Sequence, residues 1–308
     1  MSRALVECVP NFSEGRRREV IDAIVAPLAS ARGVHLLDWR ADADHNRLVV
    51  SLVGESGPLE DALLESAAAA IARIDLRTHR GAHPRIGAVD VIPFIPLRGI
   101  TMAECVALAR AFASRYAERT GVPVYLYEEA AVQPGRRNLE AVRKGQFEAL
   151  VREIGNPERR PDAGPPRLHP SAGATAVGAR QFLIAFNINL ATPDLAVARA
   201  IAKTIRASGG GLSHVKAVGI PLAERGMTQV SINITDYRIN PLADVLDLVR
   251  REAEARGTSV VETEIYGLVP AEAMLAAAAR SLVVAGFDSR QVIDLRLLDL
   301  AGGDRACP

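Results

Sequence analysis

The feature that most constrains the fold is an order of strands and helices that occurs twice along the chain. Apolar runs typical of strands alternate with amphipathic segments typical of helices, and each half reads β-α-β-β-α-β. This is the order of the split-βαβ, ferredoxin-like unit, in which one sheet carries its helices on a single face. The sequence therefore predicts an α+β protein of two ferredoxin-like (βαββαβ) α/β subdomains, with their sheets facing one another across a cleft.

Local signals place the elements of the first half. Pro27 interrupts the first helical pattern and predicts a kink or an early end. The prolines of segment 88–97 predict a strand that lies near a sheet edge or is bulged. Thr101 followed by Glu104 predicts a capping box at the start of a helix. The predicted strands are 4–9, 34–38, 47–54, 88–97 and 122–127, and the predicted helices are 16–31, 58–74 and 101–120.

The second half repeats the pattern after a long segment of different composition. Residues 128–180 are rich in Pro, Gly and Arg, predict one short helix near 138–144, and are expected to cross between the halves and line the cleft. We therefore predict an N-terminal subdomain of residues 1–180, including this connector, and a C-terminal subdomain of residues 181–308. In the second half the predicted strands are 181–190, 214–222, 227–235 and 259–269, and the predicted helices are 194–208, 241–256 and 270–285.

Composition argues against several classes of function. A chain of 308 residues suits two domains, and no apolar run approaches the roughly 20 residues that span a membrane. The net charge of +1 gives no support for a nucleic-acid partner. The three cysteines form no CxxC pair, and the apolar run of MSRALVECVPNFSEG is too short for a secretion signal. Both observations favour the reducing cytoplasm.

The densest polar cluster lies in the loop between the second predicted helix and the strand from residue 88. Residues 77–85 read RTHRGAHPR and hold two of the six histidines and three arginines. Loops carry functional residues more often than regular elements do, whereas the plainer alternative is a solvated basic loop. His79 and His83 stand four residues apart, but no carboxylate or thiolate has ligand spacing with them, so no metal is predicted.

Other polar segments allow both a structural and a functional interpretation. Ser13 follows the first strand and is predicted to cap the next helix. Segment 38–47 holds three aspartates, a histidine and the only tryptophan, in spacings that do not fit a calcium loop. Asn187 and Asn189 lie two apart in a predicted strand and therefore share one face, which suits a ligand cleft better than a dry core.

Together these segments resemble the formiminotransferase family, which includes the glutamate formimidoyltransferases, also called glutamate formiminotransferases. The matching stretches are VECVPNFSEG, DHNRLVVSLVG, IDLRTHRGAHPRIGAVDVIPFIPL, VPVYLYEEAA, GARQFLIAFNINL, QVSINITD and GLVP. The likeness extends from residue 4 to about residue 285. We therefore expect a stand-alone transferase with a short tail and without the cyclodeaminase domain of the bifunctional family members.

The resemblance implies a fold and an activity. The implied fold has two subdomains whose sheets face a ligand tunnel, usually in a homodimer. The implied reaction moves the formimino group of N-formimino-L-glutamate to N5 of tetrahydrofolate, giving 5-formiminotetrahydrofolate and L-glutamate in histidine degradation and one-carbon metabolism. Tetrahydrofolate is then a co-substrate, and the expected partners are these small molecules and a second copy of the chain, with no nucleic acid, membrane or metal.

The site residues also follow from the resemblance. His83 of the HPR motif is the implied acid–base group, and titration near neutrality suits histidine to that role. The segment implied to bind folate comprises Gly164, Pro165, Pro166, Arg167, Leu168, His169, Pro170, Ser171, Ala172 and Gly173. Because guanidinium groups bind carboxylates in a two-pronged way, several arginines are candidates for binding the substrates. The candidates for substrate binding are Asn11, Asp38, Arg40, Arg80 and Arg85, and those for the folate tail are Arg136, Arg137 and Lys144.

One position departs from the family pattern. The family commonly carries an acidic residue two positions after Asp38, thought to work with the histidine, and this chain has Arg40 there. Asp38, Asp42 and Asp44 are the alternatives for this acid, although their spacing differs. Two rival functions stay open. One is formyl transfer from N-formylglutamate on the same scaffold, which Arg40 favours, and the other is a non-catalytic folate-binding module.

Overall fold

The computed structural model describes residues 4–301, with side chains through residue 297. The chain divides into two compact units between Gln181 and Phe182. Within residues 4–301, no helix combines the length and the apolar character needed to cross a bilayer. Each unit contains its own sheet, so the structure is a mixed α+β fold with two sheets, as the sequence predicts.

The first unit is built on a seven-stranded sheet. Its elements are β1 (Leu5–Cys8), β2 (Asn11–Phe12), α1 (Arg18–Ser30), β3 (Val34–Asp42), β4 (Arg47–Gly54), α2 (Ser56–Ile71), β5 (Val89–Arg98), α3 (Met102–Thr120), β6 (Val124–Glu128), α4 (Leu139–Val142), α5 (Gln146–Glu153) and β7 (Thr175–Ala179). The spatial order is β3, β4, the pair β1 and β2, β5, β7 and β6. Pairing is antiparallel from β3 through β5 and parallel from β5 through β7 to β6.

The core of the first unit follows from the periodicity of its elements. In β4 every second residue is buried, including Leu48, Val50 and Leu52, because alternate side chains of a strand point to one face. Helices α1 and α2 pack against each other and bury Leu28 and Leu63 in the same apolar cluster. The apolar face of the sheet and the apolar faces of the helices thus pack together, which stabilises a layer of helices on a sheet.

Two local predictions for this unit are confirmed. At the start of α3 the Thr101 hydroxyl accepts the Glu104 N–H at 3.2 Å, and the Glu104 carboxylate accepts the Thr101 N–H at 2.7 Å. Strand β5 is irregular, since its register against β1 and β2 shifts at Leu5 and at Asn11. The alternative of an edge position is wrong, because β7 pairs with the other side of β5. Pro27 lies inside α1, which nevertheless continues to Ser30.

The connector is more ordered than the sequence predicts. It contains α4 and α5, where one short helix was expected, and it returns as strand β7 between β5 and β6. The five residues of β7 read TAVGA and are all buried. A strand of small residues without alternation carries little local signal, so only its neighbours on both sides define it.

The second unit repeats a simpler pattern. Its elements are β8 (Ile184–Leu190), α6 (Leu195–Ile205), β9 (Val215–Leu222), β10 (Met227–Ile234), α7 (Leu242–Glu254), β11 (Val260–Tyr266), α8 (Ala271–Ser281) and α9 (Ile293–Ala301). The order β11–β8–β10–β9 is antiparallel throughout. Phe186 and Ile188 of β8 lie in the apolar core, so Asn187 and Asn189 share the opposite face as predicted. Helix α9 lies where only a tail was expected.

Candidate active site

The loop that carries His83 joins α2 to β5 and is held by close backbone contacts. The Ala82 N–H donates to the carbonyl of Asp44 at 3.1 Å, in the turn between β3 and β4. A Cβ atom at Gly81 would lie 2.3 Å from the carbonyl oxygen of His45, and one at Gly87 would lie 2.0 Å from that of Ala174. Another backbone segment passes so close to each position that only glycine, which lacks a Cβ atom, fits there. The loop is fixed at each side of His83.

Asn46 ties three segments of the site together. Its side-chain oxygen accepts the Gly15 N–H at 2.9 Å, and its side-chain nitrogen donates to the Arg80 carbonyl at 2.9 Å. Its own carbonyl lies 3.1 Å from Nε2 of His79. Asn46 is buried and adopts a φ of +50°, a conformation that asparagine tolerates better than most residues. Sequence reasoning missed this residue, although an asparagine in a tight strand-to-strand turn is a recognisable signal.

His79 and Arg85 brace the same loop from inside. The Arg85 guanidinium contacts the Glu148 carboxylate of α5 at 2.7 and 2.8 Å, and its Nε donates to Nδ1 of His79 at 3.3 Å. Nε2 of His79 then carries the proton and donates to the Asn46 carbonyl. Burial lowers the pKa of His79, which keeps the ring neutral. Both ring nitrogens of His79 therefore have hydrogen-bond partners within the protein, which gives this histidine a structural role.

His83 stands in a different electrostatic environment. The residue is half-buried, and burial together with the charges of Arg47 and Arg143 lowers the pKa of its imidazole to about 2. The ring is therefore neutral at physiological pH and able to accept a proton. Neighbouring cations also favour an anionic ligand, whose charge would offset theirs and raise the proton affinity of the ring. The site suits proton transfer in the presence of a bound carboxylate.

The two arginines reach this site from distant parts of the chain. Arg47 opens β4 and donates from Nε to Oδ1 of Asn11 at 2.8 Å. Arg143 follows α4 and forms an ion pair with Asp90, whose other oxygen accepts the Ile86 N–H at 2.8 Å. Among the described residues, Nε of Arg143 is buried and has no hydrogen-bond partner. Neither arginine was a sequence candidate, since no local pattern reports that their charges converge on His83.

A second histidine lies beside His83. In the turn between β3 and β4, Nδ1 of His45 lies 3.0 Å from Oδ2 of Asp42, and the His45 N–H donates to Oδ1 at 2.8 Å. The ring centroids of His45 and His83 are 6.4 Å apart, in an edge-to-face arrangement. Asp42 and His45 therefore lie in the same cluster as His83. From the sequence, Asp42 was one of three alternatives for the acidic residue.

The segment from Gly164 to Gly173 lies against the His83 loop within the first unit. Its end forms a tight turn in which Nδ1 of His169 accepts the Ala172 N–H at 3.0 Å. The Ser171 carbonyl accepts the Leu76 N–H at 2.8 Å, and the Ala172 carbonyl accepts the Ala88 N–H at 2.9 Å. Gly173 has a φ of +71° and passes close to Ile86. The two stretches singled out by the resemblance are therefore neighbours in space.

The remaining candidates occupy separate positions. Asp38 and Arg40 lie on β3 and pair with each other at 3.1 Å, and Arg80 is exposed, with its guanidinium on the carbonyls of Arg77 and His79. Arg136 is buried and bound to Asp162, Arg137 pairs with Glu129 at the surface, and Lys144 is exposed.

The capping role predicted for Ser13 is wrong. Helix α1 starts after Arg17, without a side-chain cap, and the Ser13 hydroxyl instead donates to the Gly87 carbonyl at 2.7 Å. This hydrogen bond ties the end of β2 to the loop of His83. The described part of the chain holds no group of three side chains with metal-ligating chemistry.

His83 is a neutral histidine in a loop fixed by the fold, and the charges of Arg47 and Arg143 act on its ring. Models of the formiminotransferase domain match the chain, the N-terminal subdomain over residues 5–180 and the following part over residues 185–285. The chain therefore belongs to the formiminotransferase family, and the predicted resemblance is confirmed.

Individual relatives agree with this assignment. The glutamate formimidoyltransferase of Streptococcus pyogenes serotype M1 is 43% identical over 96% of this chain and 99% of the relative. That of Thermoplasma acidophilum is 44% identical over 96% of this chain and 97% of the relative. The formimidoyltransferase-cyclodeaminase of Rattus norvegicus is 47% identical over 89% of this chain, which corresponds to 52% of that longer protein.

Proposed function

We propose that the chain transfers the formimino group of N-formimino-L-glutamate to N5 of tetrahydrofolate, giving 5-formiminotetrahydrofolate and L-glutamate. Two relatives named glutamate formimidoyltransferase match almost the whole chain at 43% and 44% identity, which supports a transferase of this kind. The structural observation that carries the proposal is His83, a neutral base held among cationic side chains. Tetrahydrofolate serves as co-substrate.

The reaction needs one proton to move between two nitrogens. N5 attacks the formimino carbon, a new C–N bond forms, and the bond from that carbon to the glutamate nitrogen breaks. N5 loses a proton and the glutamate nitrogen gains one, so no net proton is released. His83 accepts the proton from N5, and positioned acid–base groups of this kind contribute about 10²–10⁴-fold in rate.

Arginines beside His83 bind the carboxylates of the donor. The charges of Arg47 and Arg143 act on the imidazole of His83. A substrate carboxylate bound beside the ring would offset both charges. Asn11 orients Arg47, while Arg85 acts through the loop because its guanidinium is bound to Glu148.

The segment Gly164–Gly173 binds folate in this proposal. This role is supported by the turn of the segment around His169, which is hydrogen-bonded to the loop of His83. Replacing residues 165–168 by a Gly/Ser sequence of the same length should weaken folate binding more than it lowers the free energy of unfolding. An unchanged folate dissociation constant would count against the assignment.

The proposal includes the finer architecture that the resemblance implies. Each unit contains four strands in the spatial order expected of a ferredoxin-like subdomain, β3–β4–β1–β5 in the first and β9–β10–β8–β11 in the second. We propose two subdomains, residues 1–180 and 181–308, in a cytoplasmic homodimer. Sedimentation of the purified protein tests the dimer.

Arg40 favours one alternative donor. The guanidinium stands where the family commonly has an acid, and it is paired with Asp38. An amidinium donor benefits from a nearby carboxylate, whereas the neutral amide of N-formylglutamate does not require one. The alternative is therefore formyl transfer from N-formylglutamate to tetrahydrofolate with the same proton movement.

A product assay with both donors tests the function. Tetrahydrofolate is incubated with the protein and either N-formimino-L-glutamate or N-formyl-L-glutamate, and the methenyl product is measured by absorbance after acid treatment. We expect turnover with the formimino donor. Turnover restricted to the formyl donor would replace the substrate and keep the site. Folate binding without turnover of either donor would favour a non-catalytic folate-binding module.

A further inference from the structure

The reaction also needs an acid that protonates the leaving glutamate nitrogen. His83 is neutral at physiological pH, because burial, Arg47 and Arg143 lower its pKa to about 2. A neutral imidazole is suited to accept the proton of N5. It is not suited to begin the reaction as the acid that protonates the leaving nitrogen.

The turn between β3 and β4 supplies a group with the required geometry. Asp42 accepts two hydrogen bonds from His45, one from the backbone N–H at 2.8 Å and one from Nδ1 at 3.0 Å. Burial alone would raise the pKa of Asp42, but these hydrogen bonds lower it, so the carboxylate is ionised and Nδ1 of His45 keeps its proton. The acid–base nitrogen of His45 is then Nε2, as in other carboxylate–histidine pairs.

The position of His45 is also defined from the other side. Its carbonyl oxygen is in contact with Gly81, and its ring lies edge-to-face against His83 at a centroid distance of 6.4 Å. The side chain of His45 is 53% exposed and so is accessible to a substrate. The titratable groups that face it are Asp42 from its own turn and His83 from the α2–β5 loop, with Arg47 and Arg143 acting on the same site.

We propose that His45, oriented by Asp42, is a second acid–base residue of this site and protonates the leaving glutamate nitrogen. This inference rests on the proposed formimino transfer. His83 takes the proton of N5 as the new C–N bond forms, and the imidazolium of His45 gives its Nε2 proton to the glutamate nitrogen as the old C–N bond breaks. Proton transfer from His83 to His45 then restores the starting state, so protons balance over one turnover.

The test compares two pairs of matched variants. His45→Gln and Asp42→Asn change the proposed pair, whereas His35→Gln and Asp44→Asn change residues of the same type on β3 and in the same turn. The values of kcat and KM are measured across the pH range in which histidine titrates, with the wild-type protein in parallel. Circular dichroism establishes that each variant is folded.

The proposal predicts a specific pattern. His45→Gln should lower kcat by about tenfold or more, leave KM for tetrahydrofolate nearly unchanged, and abolish the alkaline limb of the kcat profile. Asp42→Asn should also lower kcat, because the ring of His45 loses the carboxylate that orients it. His45→Ala should regain activity when imidazole is added. The two control variants should keep the wild-type profile.

The outcomes separate this inference from the function on which it rests. Wild-type kcat and an intact alkaline limb in folded His45→Gln would overturn the role of His45 and leave formimino transfer in place. An effect of Asp44→Asn equal to that of Asp42→Asn would overturn the role of Asp42. A wild-type protein without turnover would overturn the proposed function, and the inference with it.

Discussion

The two units share a strand order but differ in where they bury charge. The first unit places β3, β4, β1 and β5 side by side, as the second places β9, β10, β8 and β11. Within residues 4–297, the buried charged side chains all lie in the first unit, and they are Glu7, Glu14, Glu60, Arg85, Asp90 and Arg136. The buried polar residues of the second unit are neutral, namely Asn189, Thr228, Gln229 and Asn240.

This difference separates scaffold from site. Burying a charge is costly unless hydrogen bonds and partners compensate for the loss of water. Asp90 of the first unit has a loop backbone and a connector residue as its partners, Ile86 and Arg143, whereas Glu60 pairs with Arg115 of α3. The second unit has the same strand order, yet its described residues include no buried charged side chain. The strand order itself therefore does not require buried charge. Charge burial therefore marks the unit that we propose to carry the chemistry.

Replacing one histidine in each unit should have very different effects on turnover. His83→Asn should lower kcat by at least about 100-fold, because the base that accepts the N5 proton is lost. His214→Asn in the second unit is the control, since asparagine tolerates the φ of +57° at that exposed position. Steady-state assays measure kcat for both variants. Equal kcat values would contradict the proposal that the first unit carries the chemistry.

The next effect concerns the pH dependence of stability. Burial raises the pKa of Glu7 to about 7, with Arg180 opposing the rise. The folded carboxyl thus holds its proton to higher pH than the unfolded one, so its contribution is present below pH 4.5 and is lost as pH rises through about 7. Glu7→Gln should stabilise the protein by about 3 kcal/mol above that pH and have little effect in acid.

Urea denaturation at acidic and alkaline pH measures this effect. Glu262→Gln in the second unit is the matched control, because hydrogen bonds from Asn189 and Arg225 lower the pKa of Glu262 and the carboxyl is exposed. This variant should show no gain at alkaline pH. A gain of the same size in both variants would contradict the contrast between the two units.

A smaller effect is expected where the site is tied together. Asn46→Ala should lower the free energy of unfolding by about 2 kcal/mol, because the buried Gly15 N–H and the partly buried Arg80 carbonyl lose their partner and alanine is strained at a φ of +50°. Asn233→Ala, at an exposed position of β10, should change it by no more than about 0.5 kcal/mol. Thermal denaturation of the two variants measures the difference, and a similar loss in both would refute the bracing role of Asn46.

How much the sequence could predict depends on whether the signal is local. The bounds of β4, the capping box at Thr101 and the shared face of Asn187 and Asn189 all arise from residues close in sequence. Strand β7 lacks such a signal because its small residues are defined only by the neighbours on both sides.

The site shows the same limit. The HPR motif and its resemblance pointed to His83, and the family was confirmed. The approach of His45, Arg47 and Arg143 to that residue depends on how a turn, a strand and the connector fold together. The roles assigned to the individual site residues stay predictions until variants are measured.

Formimino transfer through His83 is tested by following the transferred carbon itself. N-formimino-L-glutamate labelled with ¹³C in the formimino group is mixed with tetrahydrofolate and either wild-type protein or His83→Asn, and the label is followed by NMR. We expect the wild-type protein to move the label to N5 of tetrahydrofolate and the variant to leave it on glutamate over the same time. A label that stays on glutamate with the wild-type protein would refute formimino transfer, and one that moves equally fast with the variant would refute the role of His83.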